Sequence, residues 1–378
     1  MKKKSTMHSV ILLLFLSFFV SCSKDDDVGN EAPLKSASVQ GKVSADKKRN
    51  VIVTVTEFAT NIACPRGLKF GPDGYLYVAS AGSGGTNSTA GLCGEDVLPM
   101  VQSLSGNTGK IIKISPDGTV STVVDNLPSG RNGFGDVQGP SDVEFIGNDL
   151  YALLVAGCSH GTREYPSAVL KVNTEANAVT VVADLSAYFH NNPVASPDED
   201  DFEPDGTPYS MVNVRGDLYI VEPNHGELIK STTSGEVSRV VDFSAHYGHI
   251  VPTATAYNGN FFVGNLRTFP LVEGSSNIYK VTPGGQVKIR ESGFTGVLGV
   301  AFDKNNRMYV LETSQAPGPA PMTGRVIRVN EDETRNIVVD NLFFPTAMTF
   351  CPDGALYISN MGFGPPTGQI LKVVFNSN

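Results

Sequence analysis

One phrase recurs along this chain. It reads GLKFGPDGYLYVAS (Gly67–Ser80), DVEFIGNDLYALLV (Asp142–Val155), MVNVRGDLYIVE (Met211–Glu222), ATAYNGNFFVGN (Ala254–Asn265), GVAFDKNNRMYVLE (Gly299–Glu312) and AMTFCPDGALYISN (Ala347–Asn360). Each copy is a short apolar strand, a tight Gly/Asp/Asn turn, and a second strand that opens on Leu, Met or Phe followed by Tyr or Phe. A second hairpin follows, as in KIIKISPDGTVSTVVDNL (Lys110–Leu127), VLKVNTEANAVTVVADL (Val169–Leu185) and ELIKSTTSGEVSRVVDF (Glu227–Phe243). Two hairpins make a four-stranded antiparallel blade. One blade cannot bury both of its faces, so repeated blades must stack about an axis.

The last copy lacks a partner strand. QILKVVFNSN supplies its third strand and the chain stops, while VIVTVTEFATNIACP (Val51–Pro65) resembles RNIVVDNLFFP (Arg335–Pro345), the end of the preceding blade. The N-terminal strand is therefore expected to complete the final blade, which removes an open sheet edge. The reading is all-β: a six-bladed β-propeller over residues 51–378.

In such a disc the turns within each hairpin share one face, and the connections between hairpins share the other. The within-hairpin turns are short (GPDG, GND, RGD, NGN, DKNNR, CPDG). The other face carries Ala81–Gly109, Pro128–Gly139, Ala156–Ser167, Ser186–Thr207, Asn265–Ser276, Thr313–Thr323 and Asn360–Thr367. Long ordered loops on a rigid scaffold concentrate function, so this rim is the expected binding face. His160, His190, His225, His246 and His249 all fall on it.

The first residues are MKKKSTMHSVILLLFLSFFVSC. Three lysines precede an apolar run too short to span a bilayer, which takes about 20 residues. The run ends Phe19-Val20-Ser21-Cys22, which resembles the bacterial lipoprotein box. That resemblance implies a signal peptide over 1–21 and lipidation of Cys22. The following Ser23-Lys24-Asp25-Asp26-Asp27 is similar to the surface-export signal of Bacteroidota lipoproteins. Residues 22–50 are polar and aperiodic, the pattern of a flexible tether. The expected location is the outer membrane, at the cell surface, with the membrane engaged only through the lipid and the protein otherwise a monomer.

Acids exceed bases by nine, with Lys+Arg 29 and Asp+Glu 38, and no basic stripe follows the leader, so nucleic acid is excluded as a partner. Trp is absent, which excludes the tryptophan-aspartate repeat and tryptophan-lined sugar platforms.

A resemblance to a family rests on three segments. They are Asn265-Leu266-Arg267-Thr268-Phe269-Pro270 continuing through Gly274 to Ile278–Gly285, Pro204–Tyr209 followed by Leu218-Tyr219, and Gly139-Pro140-Ser141-Asp142. Together they resemble the ScyD/ScyE family of exported, NHL-like and SMP-30-like propellers, named from cyanobacterial gene clusters for the indolic sunscreen scytonemin. The resemblance implies a fold and an export route.

Two function classes follow. The first is a binding or scaffold module that presents the loop-rich face to a small molecule or protein. The second is a divalent-metal-dependent hydrolase, lactonase- or esterase-like, with Ca²⁺ in the central funnel. Hard cations want oxygen ligands, and the candidates are Asp142, Asp205, Glu222, Asn224, Asn265, Glu312 and Asn360, with His225 or His249 as base. The acidic run Asp198–Asp205 lacks the EF-hand spacing. Gly157-Cys158-Ser159-His160-Gly161 matches G-x-S-x-G but leads into a strand, not a helix, so it is not expected to be a nucleophile elbow. Among the cysteines, Cys93–Cys158 is the preferred disulfide, Cys64–Cys93 the alternative, and Cys351 is expected to stay unpaired.

Overall fold

The computed structural model describes residues 51–91, 104–197, 203–315, 322–363 and 367–377. The lipobox, the tether, Cys93 and most of the acidic run lie outside them. Among the described residues, no helix is long and apolar enough to cross a membrane.

The strands described form six antiparallel sheets, all but the last following chain order outward from the first strand. Blade 2 comprises Pro140–Ile146, Asp149–Leu154, Ala168–Asn173 and Ala178–Asp184. Blades 3, 4 and 5 repeat the pattern from Ser210, Pro252 and Val297. The last blade takes Ala347–Phe350, Leu356–Asn360 and Gly368–Ser377 from the C-terminus and Val51–Ile62 from the N-terminus. Val53 pairs with Phe375 and Val55 with Val373, so the expected closure is present. The first strands of successive blades contact one another in a complete circuit, from the strand at Pro65 round to the one at Ala347 and back.

Closing the ring buries both faces of every sheet, and among the described residues the core is accordingly six large clusters, each between two neighbouring blades, with a small seventh of Cys64, Ala81 and Val137. This explains why the second strand of each blade is mostly apolar instead of alternating: Leu76–Ser80, Met308–Glu312 and Leu356–Asn360 are buried throughout, polar end residues included. It also explains the recurring aromatics. The Tyr or Phe of a second strand meets the Phe ending the next blade's first strand edge-to-face: Tyr77 on Phe145 at 5.0 Å, Phe262 on Phe302 at 4.9 Å, Tyr309 on Phe350 at 4.9 Å, Tyr357 on Phe70 at 5.1 Å. Such pairs are worth about 0.5–1.5 kcal/mol each beyond the area they bury. The repeated phrase is thus the sequence of one inter-blade joint.

Blade 1 departs from the expected boundaries. Its third and fourth strands run Leu104–Ile114 and Val120–Arg131, with short strands Asn87–Ser88 and Val137–Gln138 attached. Parts of the segments Ala81–Gly109 and Pro128–Gly139, expected as loops, are therefore sheet. Their Gly/Ser/Asn composition reads as loop locally, but pairing with a distant strand satisfies the backbone. Gly85 permits the close approach, since a Cβ there would sit 2.0 Å from the Ser105 carbonyl oxygen. The link Ser186–Thr207 likewise contains a helix, α1 (Leu185–Asn191), started by the Asp184 side chain accepting from the Ala187 N–H at 2.8 Å.

Candidate functional site on the loop-rich face

The first strands begin at the loop-rich face, and their leading residues meet around the axis. Arg66, second residue of the first strand in blade 1, is buried; its Nη2 donates to Asp136 Oδ1 at 2.9 Å and to the Val137 carbonyl at 2.6 Å. Burial works against the guanidinium's charge, yet Asp136 and Tyr209 hold its pKa above the ordinary value. Tyr209, just before the first strand of blade 3, donates its hydroxyl to the Thr346 carbonyl at 3.0 Å, just before that of blade 6. Blades 3 and 6 stand opposite each other in the ring, so this bond reaches across it, with Arg66 beside Tyr209. Burial pushes the Tyr209 phenol up to about 12. Neither residue was nominated from the sequence. The signal for Arg66 was an arginine at the start of an inner strand, where the other blades have no basic residue.

Asp142 lies in the inner wall between blades 2 and 3. Its Oδ2 accepts from the Met211 N–H at 2.7 Å and its Oδ1 from the Val143 N–H at 2.8 Å. Burial drives its carboxyl up to about 7 against the pull of those two donors. Gly67 makes room for it, since a Cβ there would be 1.9 Å from Asp142 Oδ1.

The candidates at the ends of second strands share one role. Glu222 Oε1 accepts from the Thr207 N–H at 2.7 Å, Glu312 Oε1 from Thr295 N–H at 2.8 Å, and Asn360 Oδ1 from Phe343 N–H at 2.9 Å. Asn265 donates to the Ile250 carbonyl at 2.8 Å, and Ser80 to that of Ala63 at 2.6 Å. In each case the second strand clamps the corner by which the chain enters its own blade. Glu312 also holds Arg325 Nε at 2.5 Å, and burial raises its carboxyl pKa. These side chains are spread around the ring and do not converge on a point.

Between blades 2 and 3 the polar groups are densest. Asp205 Oδ2 accepts from both the N–H and the hydroxyl of Ser159, each at 2.9 Å, and its Oδ1 lies 3.6 Å from His190 Nε2. Ser159 is thus held by a carboxylate, with no imidazole at its hydroxyl, and the G-x-S-x-G match has another cause: a Cβ on Gly157 (φ 102°) would sit 2.4 Å from the Asp205 side chain. His160 is buried, with Nε2 2.8 Å from the Gly206 carbonyl and Nδ1 3.9 Å from Glu203. Burial raises the Glu203 pKa. Asn224 donates to the Glu203 carbonyl at 3.0 Å.

Glu222 and His225 are brought together, with His225 Nδ1 3.0 Å from Glu222 Oε2. Burial disfavours the Glu222 charge, but His225 and the backbone donors outweigh it and hold its pKa below the usual value. His249 is half-buried on the neighbouring corner. Cys158 is disulfide-bonded, whereas Cys64 and Cys351 are free.

Two open clefts adjoin this region. One, of about 370 Å³, lies between the insertions of blades 1 and 2 and is lined by Asn87, Ser105, Asn107, Thr162, Arg163 and Tyr165, among others. The second, of about 280 Å³, shares Arg163, Glu164 and Tyr165 and reaches His190 and Asp205. The two share one wall and together reach from the blade 1 insertion to the link between blades 2 and 3.

The chain is similar to solved propellers. Over 86% of its length it matches a protein of unknown function from Bacteroides thetaiotaomicron VPI-5482 (77% of that chain, 12% identity, TM-score 0.55). It matches a gluconolactonase from Xanthomonas campestris over 89% of its length (98% of that chain, 10% identity, TM-score 0.53). A glucose dehydrogenase matches over 84% (98% of that chain, 14% identity, TM-score 0.51). What is shared is the six-bladed fold. No protein-family model matches the chain, and no curated protein matches it in sequence.

Proposed function

We propose that this chain is an exported propeller of the ScyD/ScyE kind, lipidated at Cys22 and tethered through residues 22–50 to the outer membrane, that binds a polar ligand on its loop-rich face. The observation that carries this reading is the groove made by the two clefts that share the wall of Arg163, Glu164 and Tyr165. Its larger cleft falls in the size range of small-molecule sites, roughly 300–1,000 Å³. Its amides and hydroxyls offer donors and acceptors without net charge, because Arg163 and Glu164 stand side by side on its wall. Tyr165, 40% exposed, adds a flat apolar surface. Around the ring, by contrast, the carboxylates of Asp142, Glu222 and Glu312 are spread apart and each accepts from a backbone N–H. In this reading Cys93 is the partner of Cys158 and ties the blade 1 insertion to the groove.

A second reading, a divalent-cation-dependent lactonase or esterase, draws on the 3.0 Å pairing of His225 with Glu222. The test is a thermal-shift screen of polar metabolites and oligosaccharides against the full chain, repeated on Tyr165→Ala and Arg163→Ala. A ligand whose stabilisation falls in both variants supports the groove. Ligands unaffected by either, or lactone hydrolysis that requires a cation and is lost in His225→Gln, would overturn it.

A further inference from the structure

We propose that Glu222, His225 and Glu227 form a binding site for a divalent transition-metal ion of the zinc class, on the turn joining the second and third strands of blade 3. It stands independently of the groove ligand and lies off the axis.

Glu222 and Glu227 are the last paired residues of their antiparallel strands, directly opposite each other, so their side chains leave one face of the sheet. His225, in the turn between them, folds back over the same face. Each of the three offers one ligand atom, and these atoms lie within 4.8 Å of one another. Both carboxylates are fully buried. Two like charges set opposite each other away from water repel unless a proton or a cation lies between them.

A second observation is independent of this proximity. Glu227 Oε2 takes Arg239 Nε at 2.6 Å, but its Oε1 is buried without a hydrogen-bond partner among the described residues. A buried acceptor left unsatisfied is costly, and an ion is one of the few things that repays it. The surroundings also fix the ligands, as second-shell groups do in metal sites. Arg239 fixes Glu227 through the other oxygen. The His225 ring stacks on Phe189 at 5.1 Å with 28° between planes. Backbone N–H groups of Thr207, Asn224 and His225 hold Glu222.

Two carboxylate oxygens and one imidazole nitrogen make a borderline donor set of the kind zinc takes. Calcium, which takes six to eight oxygens, is a poor match. His225 binds through Nδ1 as the neutral ring, with its proton on Nε2. Its side chain is 11% exposed, which leaves the ion a route from the loop-rich face.

The test uses the full chain stripped with a chelator and titrated with Zn²⁺ alone, with Ca²⁺ as comparison, read by calorimetry and thermal melting. One Zn²⁺ per chain is expected, with a raised Tm and no equivalent response to Ca²⁺. Glu227→Gln and His225→Gln are each expected to weaken Zn²⁺ binding at least about tenfold. His225→Gln lies in a turn and serves if Glu227→Gln fails to fold. Co²⁺ substitution adds a visible spectrum that His225→Gln should alter. No stoichiometric Zn²⁺ binding, or binding unchanged in both variants, would overturn the proposal. Loss of groove ligand binding alone would leave it standing.

Discussion

Several buried acids on the loop-rich face behave in the opposite way to the turn acids of the other face, with Glu222, paired to His225, an exception. On the short-turn face, Asp73, Asp117, Asp303 and Asp353 each accept through Oδ1 from the N–H two residues on, at 2.9–3.2 Å. These are local Asx turns. The Ser115 hydroxyl and the Thr119 N–H lower the Asp117 pKa, and the Ala355 N–H lowers that of Asp353. On the loop-rich face, burial raises the carboxyls of Asp142, Glu203, Glu227 and Glu312. There the partners come from far along the chain or from another strand. One face spends acids on making turns that any blade could use. The other spends them on fixing corners and inter-blade contacts that differ from blade to blade.

Glu312 should show the largest consequence of that difference. Replacing it with Ala leaves the Arg325 guanidinium and the Thr295 N–H without their acceptor. Removing one partner of a fully buried ion pair costs about 3–5 kcal/mol, and with Arg325 24% exposed the lower end of that range is expected. Urea unfolding of Glu312→Ala should show a loss of that size, and Glu312→Gln, which keeps the Thr295 bond, a smaller one. A loss below about 1 kcal/mol in the Ala variant would mean that loop-face acids are no more structural than surface ones.

Asp142 sharpens the contrast through pH. Burial pushes its folded carboxyl up to about 7, against the ordinary 3.8. The folded state therefore holds a proton that the unfolded chain releases. The stability this contributes is fully present below about pH 4, declines as pH rises, and is gone above about pH 7, a change of at most about 4 kcal/mol. Asp142→Asn lacks that proton equilibrium. The unfolding free energy of the natural chain relative to this variant should fall from pH 4 to pH 7 and then level off. A difference that is flat across this window would show that Asp142 is ionised in the fold.

These two residues also show what could be read in advance. The six-fold repeat, the closure by the N-terminal strand and the sorting of loops to one face follow from local periodicity, which the sequence carries openly. Glu222, Asn265, Glu312 and Asn360 could be placed correctly at the ends of second strands for the same reason. Their partners could not be foreseen. A Glu at a strand end is compatible with a cation, a salt bridge or a backbone clamp, and only the path of the incoming corner decides between them. Arg66 and Tyr209 escaped notice because their contacts cross the ring, from blade 1 to the next link and from blade 3 to blade 6. Neither distance is written in any local pattern. Glu227 escaped because it looked like the first residue of an ordinary strand.

The smallest effect belongs to the short-turn face. Asp353 is in an exposed turn, and its carboxylate holds the Ala355 N–H at 2.9 Å. Water replaces most of what that bond supplies, so Asp353→Ala should cost about 1 kcal/mol at neutral pH. The sign of its pH dependence is opposite to that of Asp142. With its folded pKa below the unfolded 3.8, Asp353 stabilises the fold above about pH 4, and the contribution is lost as pH falls through the folded value. The gap between the natural chain and Asp353→Ala should therefore close in acid, where the Asp142 contribution is greatest. Measured side by side at pH 3, 5 and 8, the two variants should diverge from the natural chain at opposite ends of the range. Curves that run parallel would mean that the two faces do not divide their acids in this way.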